Sequence, residues 1–259
     1  MLNPLFKIIL LGSSLMSMAR CSVGDLFNNI GGDNNGGSSQ GYNFISVTAN
    51  NKGSANLQIS DRLNGDYGKE TGVSKSSSTP FDLYTFNNLP EPAIIDSEDF
   101  PYDSGITTSQ HGVVYEYMKF TFYAKNFGDI VLDYKISFNI TESGNGESLT
   151  DIMRAMVYEN SEMNEHNYMV FAKASATPKQ DEYGNLRNCE YISDEESGFA
   201  EEFENDSTIC TRIVSNFEHE EVKRYTFVFW LEGYDPEASG IAPNFRNISF
   251  QINIQAKES

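Results

Sequence analysis

The stretch IVLDYKISFNI, residues 130–140, alternates without a slip. Ile130, Leu132, Tyr134, Ile136, Phe138 and Ile140 fall on one parity, and Val131, Asp133, Lys135, Ser137 and Asn139 on the other. A period of two held this long commits a segment to a half-buried strand with one dry face and one wet face. NISFQINIQ, residues 247–255, repeats the pattern, setting Ile248, Phe250, Ile252 and Ile254 against Ser249, Gln251, Asn253 and Gln255. VVYEYMKFTFYAK (113–125), IMRAMVYEN (152–160), YMVFA (168–172), TRIVSNF (211–217) and VKRYTFVFWLE (222–232) have the same strand composition. YNFISVT (42–48) and NLQIS (56–60) read as a pair of strands near the start. With no long amphipathic helix and no strand–helix–strand rhythm, the chain predicts an all-β, antiparallel, jelly-roll-like sandwich with long loops. The turn NFGD, residues 126–129, predicts a hairpin between the strands that flank it.

Around this core the text is polar. Residues 1–19 hold Lys7, an apolar run and the small-x-small pattern Ser17-Met18-Ala19, the layout of a secretory signal cleaved after Ala19. Cys21 raises the question of a lipid anchor, but Arg20 occupies the position where a small residue is expected. Residues 20–41 end in GGDNNGGSSQG, a flexible Gly/Asn/Ser tether. Residues 42–259 then form a single domain with its core at 113–257 and an acidic insertion at 173–207. The proline-bearing segment 81–110 reads as coil lying on a sheet surface.

The net charge of −19 argues against nucleic acid, whose phosphates require a basic surface. No segment after the signal is long and apolar enough to span a membrane. Cys189 and Cys210 flank the acidic loop and are placed to pair in an oxidising compartment; no metal-ligand spacing accompanies them. His111, His166 and His219 lack a second histidine at HExxH spacing and read as surface residues. The acidic loops 64–70, 193–206 and YDPE offer oxygen ligands of the kind calcium takes, without an EF-hand pattern. No nucleophile–base pattern emerges, so no enzyme is assigned. Arg154 and Arg224 read as surface arginines lying along their strands; the alternative is burial against a carboxylate.

The distinctive piece is RYTFVFWLEGYDPEASG, residues 224–240, in which the only tryptophan leads into an acidic turn. Turn chemistry accounts for Gly233, Asp235 and Pro236, and makes Asp235 and Glu237 solvated turn residues first and candidate cation ligands second. Taken in order, YMKFTFYAKNFGDIVLDYKISFNIT, DIMRAMVYEN, YTFVFWLEGYDPE and the closing strand resemble the TasA/camelysin group of exported β-sandwich proteins of Gram-positive bacteria, over residues 81–257. Trp230, Glu232, Gly233, Asp235, Pro236 and Glu237 carry the signature turn. Ala238 departs from the cysteine that often follows in the group, and the insertion at 190–206 is additional. The resemblance implies a secreted or cell-surface structural or adhesive protein of the kind that serves as a biofilm matrix fibre subunit, with further copies of itself, through strand addition, or wall and matrix components as partners. Camelysin-like members imply a metallopeptidase instead. The residues themselves leave open a carbohydrate- or wall-binding module using Tyr115, Tyr117 and Tyr123.

Overall fold

A computed structural model describes residues 42–75, 81–97, 106–108, 112–143, 149–160, 166–174, 179–180, 186–187, 200–238 and 248–259. Residues 40–259 make one compact unit. The signal and tether assigned to residues 1–41 lie outside the described residues, as do Cys189, His111 and most of the acidic insertion.

In chain order the strands are β1 (Tyr42–Asn51), β2 (Leu57–Ser60), β3 (Glu70–Lys75), β4 (Leu83–Tyr84), β5 (Ile106–Thr108), β6 (Gly112–Val114), β7 (Tyr117–Asn126) and β8 (Leu132–Ser143). They continue with β9 (Met153–Asn160), β10 (Tyr168–Ala172), β11 (Lys179–Gln180), β12 (Leu186–Arg187), β13 (Glu201–Glu202), β14 (Thr208–Phe217), β15 (Val222–Glu232) and β16 (Ile248–Glu258). The only α-helical turns described are α1 (Pro92–Ile95) and α2 (Leu149–Ile152). The architecture is an all-β sandwich. A smaller sheet has the order β14-β8-β16-β1-β3, and a larger one β13-β10-β9-β15-β7-β2 with β4 added beside β15.

Alternation explains the smaller sheet. Ile45, Val47 and Ala49 from β1, Leu132 to Ile140 at every second position of β8, and Phe250, Ile252 and Ile254 from β16 point into the core. Facing them are Met118, Phe120, Phe122 and Ala124 from β7, and Tyr225, Phe227, Phe229 and Leu231 from β15. Phe250 bridges the layers, 4.9 Å from the Phe227 ring and 4.6 Å from that of Phe229. The Tyr134 and Tyr225 hydroxyls meet at 2.7 Å across the dry interior, where burial pushes both phenols well above their ordinary pKa.

Two expected pairings are corrected. β7 and β8 form no hairpin: β7 pairs with β15 and β2, and β8 with β14 and β16. The turn between them carries the chain across the core, so their aromatic faces oppose each other instead of lying side by side. Buried Asn126 fixes the crossing, donating to the carbonyls of Ile130 (2.8 Å) and Phe217 (3.1 Å) and accepting from Gly128 N (2.9 Å). β1 and β2 also belong to different sheets. The Asn51 amide accepts from Leu57 N and donates to Leu57 O, both at 2.9 Å, standing in for a backbone rung where the chain turns the corner. β1 instead lies between β3, antiparallel, and β16, parallel. The buried core thus begins well before residue 113.

Candidate functional site

The outer face of the larger sheet is covered. Residues 83–97 cross it as a strap made of β4, a turn at Phe86–Asn88, and α1. Beneath it Ile95, Tyr117, Met156, Tyr158, Val170, Val228 and Trp230 form a second apolar cluster, with Tyr84, Phe86, Leu89 and Tyr168 at its margin. The Phe86 and Trp230 rings are 6.0 Å apart, and those of Tyr84 and Tyr117 5.8 Å. The surface segment expected at 81–110 is present over its described part. The aromatic outer face offered to carbohydrate is not: Tyr117 and Tyr123 are buried, and Tyr115 packs on Phe81.

The signature turn ties this strap down. Glu232 is buried, and its carboxylate accepts from Trp230 Nε1 (2.9 Å), Phe86 N (3.0 Å) and Tyr234 N (3.2 Å). Gly233 N donates to Tyr84 O at 2.6 Å. A Cβ on Gly233 would stand 3.2 Å from that carbonyl and 3.4 Å from Leu83 Cβ, so the close approach selects glycine. Asp235 is also buried; it ion-pairs with Arg154 and accepts from Glu237 N at 2.8 Å, capping the short turn at Pro236–Ala238. Asp235 is therefore not the solvated turn residue expected, and Glu232 beside it is buried as well. The strap brings a second protein surface over them, and buried carboxylates persist only when bonded or paired.

At the strap's far end Asp96 is fully buried. Its Oδ2 accepts from Arg224 Nη2 (2.6 Å) and Asn160 Nδ2 (3.1 Å), and lies 3.0 Å from His166 Nδ1. Among the described residues its Oδ1 meets no hydrogen-bond donor. Asn160 Oδ1 accepts from Asn167 N at 3.1 Å, and Lys119 Nζ donates to Ser97 O. This corrects the surface assignment of both arginines: Arg154 and Arg224 are buried and paired. Asp96 went unnoticed in the sequence because its partner stands 128 residues away. The available signal was Arg224 itself, a cation inside a strand that buries both faces, which demands a counter-charge. His166 is about a quarter exposed (26%), and no hydrogen bond joins it to a Ser, Thr or Cys among the described residues.

Among the described residues no group of three or more His, Cys, Asp or Glu is placed to hold a metal. Asp66 and Glu70 in the first acidic loop, and Glu204 and Asp206 in the insertion, are exposed. Cys210 is a free, buried thiol whose pKa burial pushes up to about 12; its expected partner Cys189 lies outside the described residues. No described helix is long and apolar enough to cross a membrane. The chemistry these groups support is attachment: carboxylates and arginines clamp the strap over the sheet. No protein-family model matches the chain, and no curated protein matches it.

Proposed function

We propose that this is a non-enzymatic structural or adhesive protein of the cell exterior, a matrix fibre subunit that joins copies by exchanging β1. The proposal includes kinship with the TasA/camelysin group, which rests on the order of motifs quoted above, and export, which rests on the signal-like residues 1–19. The observation that carries it is the placement of β1. This strand inserts between β16 and β3, contributes Ile45, Val47 and Ala49 to the core, and connects to β2 through residues 52–56 alone. A neighbour's β1 would satisfy the same backbone groups and fill the same core positions, which is the condition for domain swapping and strand addition.

A disulfide that holds β1 at home tests this. Thr48 and Glu70 are directly opposite on β1 and β3, and the Ala49 N to Lys69 O bond marks them as a non-hydrogen-bonded pair. Such pairs bring Cα atoms to about 4.5 Å, within disulfide range. In a Cys21→Ser, Cys189→Ser background, Thr48→Cys/Glu70→Cys oxidised as monomer should give no filaments by electron microscopy, while the reduced protein should. Filaments grown reduced and then oxidised should run as covalent ladders on denaturing gels. A reduced protein that stays monomeric at high concentration sinks the proposal.

A further inference from the structure

The link between β1 and β2 is short, and one residue sets its geometry. β1 ends at Asn51 in the smaller sheet and β2 begins at Leu57 in the larger one, so residues 52–56 carry the chain from one sheet to the other. Gly53 has φ 64°, in the left-handed region, and Ala55 N closes the turn on Lys52 O at 3.3 Å. A Cβ built on Gly53 would meet nothing within 4 Å among the described residues. Space is therefore not what this position demands. The backbone conformation is, and it strains any L-residue with a side chain while leaving glycine unstrained.

The bonds around this link fall into two groups. The Asn51 amide exchanges two bonds with Leu57, and Lys52 N donates to Ala256 O at 2.9 Å. These join the end of β1 to the body of the domain, so a β1 arriving from a neighbour would remake them. The Asn56 carbonyl accepts from Phe127 N at 2.9 Å, a bond within the body that exchange leaves alone. The left-handed turn at Gly53 and the Ala55–Lys52 bond belong to the link itself. They exist only when the chain folds back onto its own sheet, and both are lost when the link runs out straight to another copy.

From this division we infer that Gly53 is the hinge residue that sets the partition between a β1 kept at home and a β1 handed to a second copy. The inference rests on the exchange of β1 proposed above. Glycine holds the turned link without strain, so the parent chain favours the closed form. A residue that resists the left-handed region and prefers an extended backbone shifts the balance towards exchange. Valine does both, and the open space around Gly53 accepts its side chain. Asparagine tolerates the left-handed conformation and leaves the balance near that of the parent. Loss of the Asn51 amide weakens the closed and the exchanged form alike, because both make its bonds.

The test mixes two mature chains in the Cys21→Ser, Cys189→Ser background, one carrying Thr48→Cys and the other Glu70→Cys, and oxidises them after equilibration. A disulfide between unlike chains forms only where the β1 of one lies beside the β3 of the other. Gly53→Val in both chains should raise the cross-linked fraction by an amount equal to about a tenfold shift in the exchange equilibrium for each hinge. Gly53→Asn should stay within about threefold of the parent. Asn51→Ala should lower the melting temperature and leave the cross-linked fraction unchanged. Gly53→Ala gives the same comparison with a smaller shift if the valine variant folds poorly. Equal cross-linking of the parent and Gly53→Val chains overturns the hinge assignment while exchange itself stands. An equal rise from Asn51→Ala also overturns it, making release of β1 a matter of overall stability. Cross-links confined to the Gly53→Val chains uphold the hinge and sink the fibre reading of the parent. No cross-link in any chain overturns hinge and exchange together.

Discussion

The two sheets share one core but treat their outer faces in opposite ways. On the larger sheet β15 is buried on both sides from Arg224 to Glu232, because residues 83–97 return over it. On the smaller sheet β8 up to Thr141, and β16 from Phe250 to Lys257, keep strict alternation, and their outward residues remain in contact with water. A strand covered on both faces must be apolar at nearly every position, and any charge it keeps must find a partner. The cover thus explains at once the run YTFVFWL and the burial of Arg224, Arg154, Glu232 and Asp235.

If the cover works as a clamp, its ionic pins carry the largest energies. Arg224→Met or Asp96→Leu alone leaves one buried charge uncompensated and should lose about 3–5 kcal/mol in chemical denaturation. The double variant should lose less than either single, because no charge is stranded. Additive losses would show that the two side chains act independently, and would break the clamp interpretation.

Glu232→Ala tests the other end of the strap. It orphans the indole N–H of Trp230 and two backbone donors, a loss of about 2 kcal/mol. Because Trp230 is the chain's only tryptophan, its emission should shift to the red in the native state as the strap loosens. An unshifted spectrum would mean that Phe86 and its neighbours hold the strap without the carboxylate.

How much of this could be read from the sequence differs between the faces for the same reason. Alternation in residues 130–140 and 247–255 is a local property, and it located β8, β16 and their inward residues. Parity is local too: Trp230 stands one residue from Phe229 on β15, and the two rings lie in the two different apolar clusters. The pairings Asp96–Arg224 and Arg154–Asp235 span 128 and 81 residues, and nothing local marks them. Turn chemistry at Asp235 was real, as its bond to Glu237 N shows, yet it said nothing about depth. The supposed hairpin at 126–129 failed similarly: a short turn fixes proximity along the chain, while the choice of sheet belongs to the core.

Cys210 offers an intermediate effect on the smaller sheet. Its thiol is buried, with its pKa pushed up to about 12, so at pH 8 it is both shielded and protonated. In the Cys21→Ser, Cys189→Ser background, thiol labelling should require opening of the fold and run at least about 10³-fold slower than in denaturant. Arg224→Met should speed it only in proportion to the global stability lost. A larger increase would mean that the strap also supports the edge strand β14.

The smallest effect belongs to Asp133, on the rim of the open face. Its carboxyl is held below the usual range, first by the Ser259 hydroxyl (2.9 Å) and then by Asn216 N (3.1 Å), with Lys257 adding attraction. Asn216 has φ 57°, the left-handed conformation, at a register shift between β14 and β8, so this carboxylate secures a bulge in an edge strand. Since the folded pKa lies below the unfolded one, the stabilisation is present above about pH 4 and disappears as pH falls through the folded value. Asp133→Asn should therefore cost under about 0.5 kcal/mol at neutral pH, less in high salt, with the difference from the parent protein vanishing in acid. Were the difference to grow in acid instead, the bulge would be held by the neutral side chain, and the rim charges would have no part in keeping this face ordered.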